Sequence, residues 1–293
     1  MIFGKRKIGI ALSGGSARGI SHIGVLQVLE ELGVKFSAIS GCSMGAIIGA
    51  IYSLGINLEE VINFIKTTDW RGFLLFSAFG LSRAGVLNDK RVDEVLTKFL
   101  GNKTFDDCVI PFCCVAVDII TGKKHVINSG SLKEAVRASI SVPGIFAPVY
   151  KDGGLLVDGG VLEPLPTEAI QIFNCNFIIA SSISFERESF YGDYKKNKKN
   201  LVVNEKKLKL KDTKLNDKDL KKLSIQTILD KSLSIMHSQM VKSYAQKANI
   251  LIEPRVGEFG FFDFAKSEKI IQAGRIAAER KIPEIKKKLG KLH

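Results

Sequence analysis

Two glycine-rich turns constrain this chain more than anything else in it: GGSARG at Gly14–Gly19 and GCSMG at Gly41–Gly45. Each follows a short apolar run, KIGIAL before the first and VKFSAIS before the second, and each opens a helical pattern. The helix after the first turn, RGISHIGVLQVLEEL, sets Ile20, Ile23, Leu26, Val28 and Leu29 on roughly one face and stops at Gly33, a suitable left-handed terminus. Strand–turn–helix–strand–turn–helix at this spacing predicts one right-handed crossover between adjacent parallel strands. Both turns then fall at the carboxyl ends of neighbouring strands, the edge where open α/β sheets place their ligands. The expected fold class is α/β, with a mostly parallel central sheet and helices on both faces.

The second turn carries a serine in a G-x-S-x-G frame. In that frame Ser43 sits on a sharp strand-to-helix turn with its hydroxyl lifted clear of the sheet. Gly41 and Gly45 leave room for a close backbone approach that a Cβ would block. The following MGAIIGAIYSLG is small and apolar, suited to a buried helix whose positive end favours a developing oxyanion.

The first turn is not a dinucleotide fingerprint, because Ser16 stands at the middle glycine position. The acids Glu30 and Glu31 also lie at a helix end, whereas the second strand ends in Ser40 and Gly41. No G-K-[ST] follows, so it is not a phosphate-binding loop of the Walker type. The turn reads instead as an oxyanion hole in which Gly14, Gly15 and Ser16 present N–H groups toward the serine turn. Arg18, next to Gly19, would fix the loop or its acceptors. A tight turn with no ligand is the alternative.

A serine nucleophile needs a base. His125 lies in a strand pattern, His237 in a helical one, His293 at the last position and His22 one turn into the first helix. None has turn chemistry around it, so all four read as structural or surface residues. GGLLVDGGVLEPLP, by contrast, places Asp158 at the end of an apolar strand before Gly159 and Gly160. An aspartate has a solution pKa of about 3.9 and becomes a useful base only when desolvated against the hydroxyl it deprotonates. A plain Asx turn is the competing reading of this site.

Taken together, GGSARGISHIGVL, GCSMG, SISVPGIFAPV (Ser139–Val149) and the DGG at Asp158–Gly160 resemble the bacterial patatin-like phospholipases, in their small single-domain branch. SIMHSQM, NILIEP and FFDFAKSEKIIQAGRIAA look like the closing segments of that branch. The likeness covers nearly the whole chain apart from about 186–222. It implies a serine acyl hydrolase acting on lipid esters through a Ser–Asp dyad without histidine. Ser43 would be the nucleophile, Asp158 the base and the Gly14–Gly19 loop the oxyanion hole. The family loop usually has a third consecutive glycine where this chain has Ser16, which costs about 1 kcal/mol if the position needs positive φ.

The resemblance implies one domain over 1–293: a motif-bearing core at about 8–172, an insertion at about 186–222, and helical and strand segments at 223–293. An apolar content of 45% supports a substantial core, and no apolar run is long enough to span a bilayer. The start, MIFGKRKIGIAL, runs into the first strand without the apolar stretch of a secretory signal. The cysteines Cys42, Cys108, Cys113, Cys114 and Cys175 form no metal spacing or disulfide framework and fit a reducing cytoplasm. No cofactor or metal is expected.

Net charge is +13, and it is uneven. Residues Glu186–Lys222 carry 13 Lys/Arg against 7 Asp/Glu, and Lys266–His293 carry 9 against 3. No nucleic-acid motif accompanies them, so attraction to anionic lipid headgroups is the coherent functional reading and a solvated lysine-rich surface the plain one. The apolar Gly72–Leu87 reads either as a core helix or as a lid over Ser43. Two other functions stay open: a transacylase or thioesterase with the same dyad, and a lipid-binding protein with a latent site.

Overall fold

The first apolar run forms β1 (Ile8–Leu12) and the second β2 (Ala38–Gly41), paired in parallel with Gly9 opposite Ala38 and Leu12 opposite Gly41. Between them lie a short 3-10 turn over Ser16–Ile20 and α1 (Ser21–Glu31), which stops just before Gly33 at φ +74°. The expected crossover is present. This computed structural model describes residues 6–68, 70, 90–183 and 225–290. The Gly72–Leu87 segment and the lysine-rich Glu186–Lys222 stretch lie outside them.

After β2 come α2 (Met44–Ser53), α3 (Leu58–Thr67), α4 (Lys90–Phe99), β3 (Phe112–Asp118), β4 (Lys123–Ile127) and α5 (Leu132–Ser139). Local chemistry sets the starts: Asn57 accepts the Glu59 N–H at 2.9 Å to begin α3, and Ser131 accepts the Glu134 N–H at 3.3 Å to begin α5. The described chain continues through β5 (Val149–Lys151), β6 (Gly154–Asp158), β7 (Phe177–Ser181), α6 (Ile225–Ala245), β8 (Ile250–Ile252) and α7 (Ser267–Leu289).

These strands form one mixed sheet in the order β5-β6-β3-β2-β1-β7-β8, with β4 also paired to β3. Its centre is parallel, while β3 pairs antiparallel with both β4 and β6. Residues of β1 alternate between two cores. Ile10 and Leu12 join a cluster with α1, α2 and α7, and Ala11 joins Ile170, Ile178 and Val241 on the other face. Helices therefore cover both faces.

The register of β3 positions the site. Cys114 faces Gly41 on one edge and Ile127 on the other, while Ala116 faces Asp158 and His125. Since β4 takes one edge, β2 and β6 share the other and meet end to end. Parallel β2 arrives from one direction and antiparallel β6 from the other, so the residues that follow Gly41 and those that end β6 converge.

On the same face as α2, α7 crosses α1 at two glycines. A Cβ on Gly24 would overlap the Ile271 carbonyl, and one on Gly274 the Ser21 carbonyl. No helix among the described residues is long and apolar enough to cross a membrane.

Candidate active site

Only Cys42 and Ser43 lie between β2 and α2. Leaving the strand and entering the helix within two residues forces Ser43 to φ +53°, ψ −121°, a conformation costing of order 1–3 kcal/mol for a residue with a Cβ. Three bonds hold the turn: Ser43 N–H donates to Ser139 Oγ at 3.2 Å, Gly45 N–H to Cys42 C=O at 2.8 Å and Ala46 N–H to Ser43 C=O at 2.8 Å.

Asp158 ends β6, only 4% exposed. Gly159 after it lies so close to β3 that a Cβ would run into the Val115 carbonyl. The carboxylate is asymmetric. Oδ1 accepts the Gly160 N–H at 2.7 Å and the Cys42 thiol at 3.6 Å, whereas Oδ2 is buried with no hydrogen-bond partner at full geometry. Burial pushes the carboxyl up to about 6, against the pull of the Gly160 N–H, the Ser43 hydroxyl and the Cys42 thiol, which all favour its ionised form. Ser43 and Asp158, 115 positions apart in the sequence, are thus side by side.

The SISVPG stretch joins them. Ser139 receives the Ser43 N–H, and two residues later the Ser141 carbonyl receives the Asp158 N–H at 2.9 Å. Arg137 donates to Ser141 Oγ at 2.6 Å and steadies the bend. Helix α5 accordingly ends at Ser139, four positions before Pro143, because the chain must turn there to serve both partners.

The Gly14–Gly19 loop lies against the serine turn, with Gly14 packed on Ser43. Gly14 N–H donates to the Pro164 carbonyl at 2.9 Å, which leaves the Gly15 and Ser16 amides as the donors in hand. Ser16 does take positive φ, +49°, and its hydroxyl donates to Phe261 C=O at 2.7 Å. Arg18 Nε donates to Phe259 C=O at 2.6 Å, so the loop is tied to the segment ahead of α7. Gly19 packs beneath Met44 with no room for a Cβ.

Of the histidines, His22 is fully buried, with Nε2 on the Ser13 carbonyl at 2.9 Å and Nδ1 on Ser181 Oγ at 2.8 Å. A carbonyl only accepts, so Nε2 carries the proton; burial lowers this imidazole to about 4 despite that bond. His22 is a neutral strut. His125 lies on exposed β4, and His293 falls outside the described residues. His237 of α6 packs its ring against Gly160 and hydrogen-bonds that residue's backbone, two positions from Asp158. The helical pattern around His237 gave no hint of this, because α6 and β6 meet only in the folded chain.

Ser43 and Ser16 also line a cavity of about 110 Å³ whose other described walls are apolar. Ile47 and Ile51 extend it along α2, Phe64 and Phe99 close one side, and Phe146 and Phe262 another. Among the described residues no group of three His, Cys, Asp or Glu side chains could hold a metal ion.

A family model described as patatin-like phospholipase matches residues 10–170, from β1 past Ser43 and Asp158. The chain belongs to the patatin-like phospholipase family. An uncharacterized NTE family protein of Mycobacterium bovis is 31% identical to this patatin-like chain over 93% of its length, and 46% of the relative's. A second, from Mycobacterium tuberculosis, is 37% identical over 61% of this chain and 49% of its own. Lysophospholipase NTE1 of Candida glabrata is 29% identical over 66% of this chain and 12% of its own length. The chain thus spans about half the length of the mycobacterial relatives it matches and far less of the yeast one.

Proposed function

We propose that the chain is a serine acyl hydrolase that cleaves carboxylic ester bonds of lipids, of the phospholipase A or lysophospholipase type. One observation carries this reading: a buried carboxylate with a raised pKa stands beside a serine on a strained elbow, on the wall of an apolar cavity. The family, and a relative named lysophospholipase, support it.

In this reaction Asp158 Oδ2 takes the Ser43 proton as Oγ bonds to the ester carbonyl carbon. The carbonyl oxygen becomes an oxyanion facing the Gly15 and Ser16 amides. The intermediate collapses, the alcohol leaves with the proton from Asp158, and the acyl group stays on Ser43. Water then attacks the acyl-enzyme, passing a proton to Asp158. Release of the fatty acid returns that proton to Ser43 Oγ. The acyl chain lies against Ile47, Ile51 and Phe64. We also propose peripheral contact with anionic membrane through the basic segments, in the cytoplasm. Vesicle binding by the Ser43→Ala protein that is insensitive to salt would rule out that contact.

A fluorophosphonate probe tests the chemistry. Labelling should fall on Ser43 alone, vanish in Ser43→Ala and drop by about 10²–10⁴-fold in Asp158→Asn, the usual weight of a general base. Undiminished labelling of Asp158→Asn would refute the dyad. Analysis of products with and without an acceptor alcohol or thiol separates hydrolysis from acyl transfer.

A further inference from the structure

The residue between Gly41 and Ser43 is formally free in a G-x-S-x-G frame, yet here its side chain points into the site. Cys42 is fully buried, and its backbone is fixed on both sides: its N–H donates to the Leu12 carbonyl at 3.1 Å and its C=O accepts the Gly45 N–H at 2.8 Å. That anchoring leaves the thiol little choice of direction. It reaches Asp158 Oδ1 at 3.6 Å, the same oxygen that takes the Gly160 N–H at 2.7 Å, while Oδ2 has no such partner.

We infer that Cys42 is a positioning residue for the base, its thiol and the Gly160 amide together saturating Asp158 Oδ1 so that Oδ2 is the oxygen turned to Ser43. The inference rests on the reading of Ser43 and Asp158 as nucleophile and base. A carboxylate held by one donor can pivot about its Cβ–Cγ bond and exchange its oxygens, and a second donor on the same oxygen opposes that motion. The donor and the nucleophile are consecutive residues of one elbow, so Oδ2 and Ser43 Oγ are aimed from a common base. Burial and the neighbouring carboxylate both push the Cys42 thiol well above its ordinary range, so it keeps the proton it donates.

Sulfur suits this task. A thiol is a weak donor, so it orients the carboxylate without removing much of the basicity that burial confers. The other titratable groups packed around the pair are Cys114 of β3, His237 of α6 behind Gly160, and Glu163, which is ion-paired to Lys124 of β4.

The test is the pH dependence of fluorophosphonate labelling in Cys42→Ala, Cys42→Val and Cys42→Ser. Valine fills the volume of the thiol without a donor, and so covers the case in which the alanine protein does not fold. With the donor gone, the ionised carboxylate loses stabilisation. The acidic limb of the profile should then move to higher pH by about half a unit, the size expected of one weak bond to a charge. The plateau rate should fall several-fold as Oδ2 loses its aim. Cys42→Ser restores a donor on a shorter bond to carbon and should bring the limb back toward or below its wild-type position. Changed packing alone would shift the serine and valine proteins together, and that result, or an unmoved limb in Cys42→Val, overturns the role of the thiol. A wild-type protein that is not labelled on Ser43 overturns the dyad and this role with it, so the two failures are distinct.

Discussion

Asp158 is held in an environment that opposes its own charge. Its carboxyl titrates near 6 in the fold against about 3.9 in an unfolded chain, because burial outweighs the three donors around it. The folded state therefore binds the proton more tightly. The stability this confers is complete below about pH 4 and is lost as pH rises through 6, a deficit of ~2–3 kcal/mol at pH 8. Asp158→Asn should accordingly melt at a higher temperature than wild type at pH 8 while the difference shrinks at pH 4, even as labelling of Ser43 collapses. Calorimetry at the two pH values checks this, and labelling of the wild type should rise with pH through about 6. Ser16 illustrates a smaller conflict, since positive φ works against it and its bond to the Phe261 carbonyl works for it. Ser16→Ala keeps the strain and loses the bond, costing ~1 kcal/mol, whereas Ser16→Gly loses both and should be near neutral in denaturant melts. Ser16 and Asp158 were visible in the sequence because their turns are local. The partner of the Gly14 N–H was hidden for the opposite reason: Pro164, whose carbonyl takes it, is remote in the chain.

At the scale of elements, strand–turn–helix units were legible because periodicity and glycine punctuation are short-range signals. The edge of β3 shared by β2 and β6 was not, because pairings between residues as far apart as Ile39 and Phe112, or Ala116 and Asp158, leave no local trace. Nor could the SISVPG segment be given a task from sequence, although Ser139 and Ser141 turn out to hold Ser43 and Asp158 respectively. The crossing of α1 and α7 was equally hidden. There Arg275 pairs with Glu31 at 2.8 Å beside the two glycines, on a partly exposed surface where such a pair adds little. Backbone contact at Gly24 and Gly274 matters more, and Gly274→Ala should destabilise by ~2–4 kcal/mol because the methyl group meets a carbonyl that cannot move without the helix. A fall in melting temperature with the labelling of Ser43 intact below it would locate the damage in the scaffold.

For the molecule as a whole, one face of the sheet carries both the scaffold and the chamber. The α1–α7 pair supplies rigidity there, and α2, α3 and α4 supply an apolar chamber that opens on Ser43. Ile51 lies eight residues along α2 from Ser43, about 12 Å at 1.5 Å per residue, and marks the depth of that chamber. Ile51→Trp should shorten the acyl chain accepted, shifting kcat/KM among esters toward shorter acids while a small fluorophosphonate reacts at its former rate. Equal losses across all chain lengths would mean that the acyl group lies elsewhere.

The strut from Ser139 to Ser141 also has a bearing on how such a protein is made. The serine turn is synthesised about a hundred positions before Ser139 and Ser141, which brace Ser43 and Asp158, and before Asp158 itself. At about 5–20 residues per second, a nascent chain spends several seconds with the proposed nucleophile made and the proposed base still to come. An esterase of the proposed kind, assembled in this order, would stay harmless to nearby membrane until its last partner is synthesised.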